Sequence, residues 1–364
     1  MKILIDPKNP RYSLVDWKYI LGKSDLKKDN YDVLVFAVRS IESILIPSFV
    51  EIIGASAFQS CCKLKEIEFT NKSKLRKIEQ YSIAHILISK ICIPKHVKLI
   101  GECVFMFCRS LLEVEFSTDS ELQVIEKGVF DGTPIECLTI PSNVVKIKAD
   151  ICPYATKLNK IKVSWDNRFY ISIGDKFILG KSNQENDVFN VLVFAAKTIK
   201  TAIIPNFVEY IGPFAFNQCE KLRKIEFSEN SKLYAIKEEA FNNSSIKSFI
   251  APSNLNIIDT NAFFLCKTLT LFDIPNYSKL RIIEKKAFAF TNIACFFIPS
   301  SVTFIGPNAF LDCVNLQIIE LDENSKLQSF NDEIFSQNMN TLLMIPFKLS
   351  IKLNLNKQNK IIYI

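Results

Sequence analysis

Cysteine and histidine are the residues of this chain best suited to nucleophilic or metal chemistry, and their spacing argues against both. Eleven cysteines and two histidines are present. Five cysteines, Cys61, Cys108, Cys219, Cys266 and Cys313, each stand three residues before a periodic leucine. A small, weakly polar, easily buried side chain suits a crowded position that recurs. Repeated at every second turn of a stacked coil, such thiols would lie about 9–10 Å apart, beyond disulfide reach. Cys61, Cys62, Cys92, Cys103, Cys137, Cys152 and Cys295 form no C-x-x-C pair, so no zinc site is expected. This usage fits a reducing or anaerobic setting better than a disulfide framework. His85 and His96 fall in loop positions, too few for a Cys-His or Ser-His site. Gly22-Lys23-Ser24 and Gly180-Lys181-Ser182 end like a phosphate loop, but the required earlier glycine is replaced by Trp17 and Asp175. Sequons at Asn71, Asn242, Asn243 and Asn276 matter only in a secreted chain. No catalytic residue, metal or cofactor is expected.

The elements that carry these residues repeat. Ile46-Pro47, Ile93-Pro94 and Ile140-Pro141 lie 47 residues apart, and the beat resumes at Ile204-Pro205, Ala251-Pro252, Ile298-Pro299 and Ile345-Pro346. A fixed period of this size marks a stacked-repeat protein. Within it a core L-x-x-I-x-I/F recurs at alternating steps of 23 and 24, from 41–46 to 340–345. Its alternation is that of a strand with one buried face. A second apolar pair follows (Val50 with Ile53, Val302 with Ile305), often with a glycine after it: Gly54, Gly101, Gly212 or Gly306. Glycine there would permit a positive φ where the chain turns. A small-plus-aromatic pair such as Ala57-Phe58 or Ala262-Phe263 then precedes the cysteine. Each coil therefore reads as strand, turn, second strand, tight helical turn. The expected fold is a leucine-rich-repeat solenoid: a β-rich right-handed coil of parallel strands with short helical turns, in about 13–14 repeats of 23 or 24 residues.

A larger duplication is superimposed. Residues 169–198 resemble 12–40 at an offset of 158; Val33-Leu34-Val35-Phe36 returns as Val191-Leu192-Val193-Phe194. The expected blocks are 1–162 and 163–364 of one continuous solenoid, each opening with a variant segment (about 6–40 and 164–198) read as a β-hairpin with a polar surface loop. Lys2-Ile3-Leu4-Ile5 matches Lys160-Ile161-Lys162-Val163 at the same offset, so the chain begins in mid-repeat. Solenoids need polar end caps and none is evident, which raises the expectation of a fragment or of an open strand edge that meets a partner.

The 48% hydrophobic content is spread evenly, as a solenoid core requires. No run reaches the roughly 18–20 uncharged apolar residues of a membrane span, and Met1 to Pro7 lacks the apolar centre of a signal peptide. The net charge of +7, from 45 basic and 38 acidic residues, is interspersed. Nucleic-acid binding would want clustered Lys and Arg, so no nucleic-acid partner is expected.

The strand face turned to solvent carries the sharpest functional signal. The residue between the last two core positions points outward. In alternate coils it is acidic, at Glu68, Glu115, Glu226, Asp273 and Glu320. In the intervening coils it is mostly apolar, at Leu45, Cys92, Ile203, Ile250, Phe297 and Met344; Thr139 and Lys162 interrupt the first block. An exposed apolar stripe rimmed by charge marks a partner site. The candidate binding residues are Glu68, Glu115, Ile203, Glu226, Ile250, Asp273, Phe297, Glu320 and Met344.

The unit I-x-I-P, V-x-x-I-G-x-x-A-F-x-x-C-x-x-L, seen from Ile46-Pro47 to Leu64 and from Ile204-Pro205 to Leu222, resembles the BspA-like leucine-rich repeat family of surface antigens. Asn9-Pro10-Arg11-Tyr12 leading to Gly22-Lys23-Ser24 looks like the protist branch. The resemblance implies a non-enzymatic protein that binds a protein or glycan ligand in adhesion or host contact at the cell surface. The absent signal and the free cysteines favour an intracellular scaffold or regulatory adaptor instead. The chain departs from the family pattern at Ser82-Ile83, Asp150-Ile151 and Asn340, where looser coils are expected.

Overall fold

Alternating core residues do build stacked strands. A computed structural model describes residues 4–185, 187–327, 334, 342–345 and 360–363. Asn340 and Pro346 lie outside them. Two compact units divide at Asp175 and Lys176.

In the first unit, each L-x-x-I-x-I core forms a four-residue strand; in Ser43–Ile46, Lys90–Ile93 and Cys137–Ile140 the even positions are buried and the odd ones exposed. The second apolar pairs form a continuous parallel ladder through Ile52–Ile53, Lys77–Ile78, Leu99–Ile100, Val124–Ile125 and Lys146–Ile147. The variant segment begins that ladder. Tyr12–Val15, Tyr19–Gly22 and Val33–Ala37 form an antiparallel meander, and its last strand pairs in parallel with Ile52–Ile53.

The second unit repeats the plan. Phe177–Gly180 pairs antiparallel with Val191–Ala195, with the register shift between Ile178 and Leu179 that the first unit shows between Ile20 and Leu21. Val191–Ala195 then leads a parallel ladder through Tyr210–Ile211, Ala235–Ile236, Ile257–Ile258, Ile282–Ile283 and Phe304–Ile305. Its core is an aromatic stack. Phe216, Phe241, Phe263, Phe288 and Phe310 lie face to face at 5.0, 4.9, 5.3 and 5.5 Å between centroids, close to the strand repeat of about 4.8 Å. A second file, Phe249, Phe272 and Phe296, meets it edge to face, for example Phe249 to Phe263 at 5.2 Å. In the first unit the same positions hold Phe58, Ile83, Phe105, Phe130 and Cys152, and Phe105 stacks on Phe130 at 5.7 Å.

The expected helical turns are not helices; among the described residues there is no α-helix. Each small-plus-aromatic pair sits in consecutive tight turns whose amides alternate. Ala57, Gln59 and Cys61 donate to carbonyls three residues back, while Ser56, Phe58 and Ser60 donate to Gln80, Ser82 and Ala84 of the next coil. Left-handed residues four apart flank every such pair, from Ser56 and Ser60 to Asn308 and Asp312. A left-handed residue interrupts a right-handed helix and costs roughly 1–2 kcal/mol outside glycine; the coil-to-coil bonds offset that cost. The same pairing of left-handed residues at Asp150 and Tyr154 shows that the small-plus-aromatic position of that coil is Ile151-Cys152, one residue later than the sequence pattern suggests.

Gly54, Gly101, Gly212 and Gly306 are likewise not turn glycines, since positive φ among glycines occurs at Gly128, Gly132 and Gly174. They allow close approach instead. A Cβ on Gly306 would sit 2.5 Å from the Lys285 amide nitrogen, and one on Gly212 would sit 2.8 Å from the Leu192 carbonyl oxygen.

Candidate binding face

The strands whose odd residues face solvent are cut at regular places. Where successive cores step by 23 residues, strands pair in full: Ser43–Ile46 with Glu66–Phe69, Lys90–Ile93 with Glu113–Phe116, Cys137–Ile140 with Lys160–Val163, and Thr201–Ile204 with Lys224–Phe227. Where they step by 24, pairing fails from Glu66–Phe69 to Lys90–Ile93, from Glu113–Phe116 to Cys137–Ile140, and from Leu271–Asp273 to Cys295–Ile298. From Lys224–Phe227 to Ser248–Ile250 it is reduced to Lys224 opposite Ser248. The step from Ile318–Leu321 to Leu342–Ile345 is the exception and stays paired.

Proline accompanies the cut at four steps but does not make it alone, since Pro275 follows Leu271–Asp273, a strand fully paired with Ser248–Ile250. At a 23-residue step the residue after the second strand donates its amide back: Ser164 to Ile140 at 2.9 Å, Ser228 to Ile204 at 3.1 Å and Asp322 to Ile298 at 3.0 Å. At a 24-residue step that place holds Pro94, Pro141, Pro252 or Pro299, which has no N–H to give. Several steps of the Ile-Pro beat therefore carry open clefts. Three are well formed: about 510 Å³ beside Glu68 and Cys92, 710 Å³ beside Glu115 and Thr139, and 630 Å³ beside Glu226 and Ile250. The cut also exposes Phe69, Phe116 and Phe227, core positions by sequence pattern that are only half-buried, whereas Ile46, Ile93, Ile140 and Ile204 are buried.

The candidate residues occupy this face in register. Leu45 pairs with Glu68, Cys92 with Glu115, Ile203 with Glu226, Ile250 with Asp273, and Phe297 with Glu320, which also faces Met344. Ile203 and Ile250 are 60% and 59% exposed, while Phe297, Met344 and Glu226 are half-buried and the remaining acids exposed. Leu271, 52% exposed beside Ser248 in the neighbouring strand, extends the apolar area and was missed, because its place in the core motif tolerates any residue. Acidic rungs are partly neutralised. Lys90 contacts Glu115 at 2.7 Å and Glu113 at 3.3 Å, and Lys224 contacts Glu226 at 2.6 Å. The Lys90 ammonium, then the Cys92 thiol at 3.0 Å, hold the Glu115 carboxyl below its usual range.

The residues with chemical potential are used structurally. The five periodic cysteines are buried free thiols. Cys108, Cys266 and Cys313 donate to the Ile83, Phe241 and Phe288 carbonyls of the preceding coil at 3.0, 3.0 and 3.1 Å. Burial pushes Cys108 and Cys266 up to about 12 and Cys219 to about 11, far from thiolate reactivity. Buried Thr133, Ser244 and Thr291 fill the alternate rungs; Ser244 and Thr291 lie 3.4 and 3.3 Å from Cys266 and Cys313. His85 and His96 are exposed, with His96 2.9 Å from Glu121. The Gly-Lys-Ser segments close the variant hairpin: the Ser24 amide and hydroxyl donate to Asp32, and the Ser182 amide to Asn190. No group of His, Cys, Asp and Glu suited to a metal occurs among the described residues, and no described helix is long and apolar enough to cross a membrane.

A family model, the BspA type leucine-rich repeat region, matches residues 33–159, 189–317 and 234–357. The chain belongs to this family. Among solved structures it is similar to the pneumococcal vaccine antigen PcpA (20% identity, 89% of this chain and 79% of that one, TM-score 0.67). It is also similar to a leucine-rich cell surface protein of Faecalibacterium prausnitzii (19% identity, 88% and 82%, TM-score 0.55) and a leucine-rich repeat protein of Eubacterium ventriosum (16% identity, 89% and 89%, TM-score 0.58). At these identities the likeness concerns the fold. No curated protein matches the sequence significantly.

Proposed function

We propose that this BspA-type protein is a non-enzymatic binding protein whose outward strand face recognises a protein or glycan partner, in adhesion or another cell-surface contact. The observation that carries this reading is the register of the second unit, where exposed Ile203 and Ile250 and half-buried Phe297 each sit opposite an acid, Glu226, Asp273 or Glu320. Apolar rungs give affinity through buried area, and the acidic rungs select orientation and partner. One structural relative, that of Faecalibacterium prausnitzii, is a cell surface protein, which supports the setting. On the same reading the two units are consecutive blocks of one duplicated solenoid, and Asn9 to Ser24 is the protist-branch form of the variant segment. A second reading, an intracellular scaffold, is favoured by eleven free thiols, four of them exposed.

Protease shaving of intact source cells, followed by mass spectrometry, separates the two. Release of peptides from this chain supports the surface reading; peptides that appear only after lysis support the scaffold. For the face itself, Ile203→Asn combined with Phe297→Asn, both outside the 630 Å³ cleft lining, is expected to leave the fold intact without setting two carboxylates face to face. It should weaken binding of the labelled chain to the partner cells or protein by at least about tenfold, the loss of roughly 1.4 kcal/mol. Unchanged binding would place the site elsewhere.

A further inference from the structure

We propose that the cleft between Lys224–Phe227 and Ser248–Ile250 is a subsite for one or two residues of a neutral saccharide. This deepens the binding reading above and rests on it. The cleft exists because pairing between the two strands ends with Lys224 opposite Ser248 and because Pro252 has no amide to return. Its 630 Å³ falls inside the range of small-ligand sites, about 300–1,000 Å³.

Three features select the ligand. The first is an apolar platform. The half-buried Phe227 ring is held edge-on against Phe249 at 5.5 Å, with Ile250 and Pro252 on the opposite bank. An aromatic face beside aliphatic carbon suits the C–H face of a pyranose. The second is a rim of groups that both donate and accept. Ser228, Asn230, Ser253 and Asn254 line the cleft. Asn254 is oriented in advance: its Nδ2 donates to the Ser231 carbonyl at 2.8 Å and its Oδ1 accepts from Lys279 Nζ at 2.9 Å. Asn230 is held at a φ of 56° with its side chain exposed. Ligand hydroxyls, each donor and acceptor at once, match hydroxyl and amide side chains of this kind. The third is charge. Lys224 and Glu226 are the charged residues of the lining, and they pair at 2.6 Å. Within the lining itself an acidic sugar or a charged peptide finds no unpaired counter-charge; Lys279 stands outside it, held on Asn254 Oδ1 at 2.9 Å. The inner edges of both strands are unpaired beyond Lys224 and Ser248, so an extended peptide is the competing occupant that the test must separate from a sugar.

The clefts at Glu68 and Glu115 share the half-buried phenylalanine but are lined by more charge, including Lys65, Glu66 and Lys90 at the first. The neutral-sugar assignment therefore belongs to the Phe227 cleft.

The test is saturation-transfer NMR on the full chain. The probes are glucose, galactose, mannose, N-acetylglucosamine, lactose and cellobiose, with glucuronic acid and N-acetylneuraminic acid as charged comparators, backed by an array of neutral and acidic glycans. The expected result is binding of at least one neutral sugar. Its affinity should fall about tenfold in Phe227→Leu, which keeps apolar bulk and loses the ring. It should fall about fivefold in Asn230→Gly, which keeps the left-handed backbone and loses the amide. Unchanged melting confirms that both variants fold. Absence of any neutral-sugar binding, binding confined to acidic sugars or to peptides, or wild-type affinity in both variants would overturn the proposal. The Ile203→Asn, Phe297→Asn variant reports separately on the wider face, so a silent cleft with a responsive face removes the saccharide assignment alone.

Discussion

At an offset of 158 residues the chain closes the same hairpin in two chemistries. In the first unit buried Asp32 accepts the Ser24 amide at 2.8 Å and the Ser24 hydroxyl and Lys28 ammonium at 2.5 Å each, and Lys28 reaches on to Glu51 at 3.3 Å. In the second, Asn190 accepts the Ser182 amide at 3.0 Å and donates directly to Glu209 at 3.0 Å. A carboxylate needs a cation to sit beside a second carboxylate; an amide supplies the proton itself. The backbone bond is the fixed requirement, and the charge is optional. The cores differ in the same spirit. The second unit runs an unbroken phenylalanine stack where the first inserts Ile83 and Cys152, and the first buries Asp131 where the second has Ala289.

Exchanging residues at that offset breaks the comparison in order of size. Phe241→Ile, which installs the residue of position 83, removes two stacked partners and leaves a partial cavity. It should destabilise the second unit by about 2 kcal/mol, less than the roughly 3–5 kcal/mol of a buried Phe→Ala. Hydrogen exchange of the amides around Ala235–Ile258 reads this, and unchanged protection would show that the stack is incidental.

Asp131→Ala works in the other direction. Burial, aided by the charge of Asp150, raises the Asp131 carboxyl from 3.8 to about 6, and its Oδ1 has no hydrogen-bond partner. A raised folded value means that the folded state holds its proton longer than the unfolded one. Wild-type stability therefore falls as pH rises from about 4 to 6. The variant should gain about 1–2 kcal/mol at neutral pH and nothing below about pH 4. A pH-independent gain would assign the effect to packing instead.

Asp32→Asn copies the second hairpin into the first. Burial alone would raise the Asp32 carboxyl, but the Lys28 ammonium and the Ser24 hydroxyl and amide together hold it below 3.8. Its stabilisation is thus present above about pH 4 and lost as pH falls through the lowered folded value. The variant should cost about 1 kcal/mol near pH 7 and less in high salt, with no difference from wild type in strong acid. Melting curves at two pH values decide it.

Smallest is Lys286→Gly, which installs Gly128. Relief of a left-handed φ of 55°, worth roughly 1–2 kcal/mol, is set against roughly 0.5–1 kcal/mol of glycine entropy. A net gain of about 0.5 kcal/mol is expected, and a loss would show that the Lys286 side chain contributes packing.

The repeat, its strands and its second ladder were legible because period-two burial writes itself directly into L-x-x-I-x-I. The duplication was legible because both hairpins keep the residues that pair. The turns were misread because the left-handed pair falls mostly on non-glycine residues, such as Tyr81 and His85, which carry no local signature; the inter-coil bonds that hold them are invisible in one coil. Gly306 was misread for a related reason, since its neighbour is Lys285, a coil away. The clefts were only partly written in the sequence: proline follows one strand and Thr70, Ser117, Ser164, Ser228 or Asp322 the next, but Pro275 breaks the alternation. Reading them required asking which amides the following coil needs, a question that only the stacked structure poses.

The alternation of 23- and 24-residue steps has a consequence for how such a gene changes length. Loss or gain of a single coil would put two steps of the same length in succession, merging two clefts or erasing one. Loss or gain of a two-coil cassette of 47 codons preserves the order of both. Unequal recombination can therefore lengthen or shorten this protein in whole cassettes while every surviving cleft keeps its walls, so that copy number tunes the number of subsites and leaves the design of each one untouched.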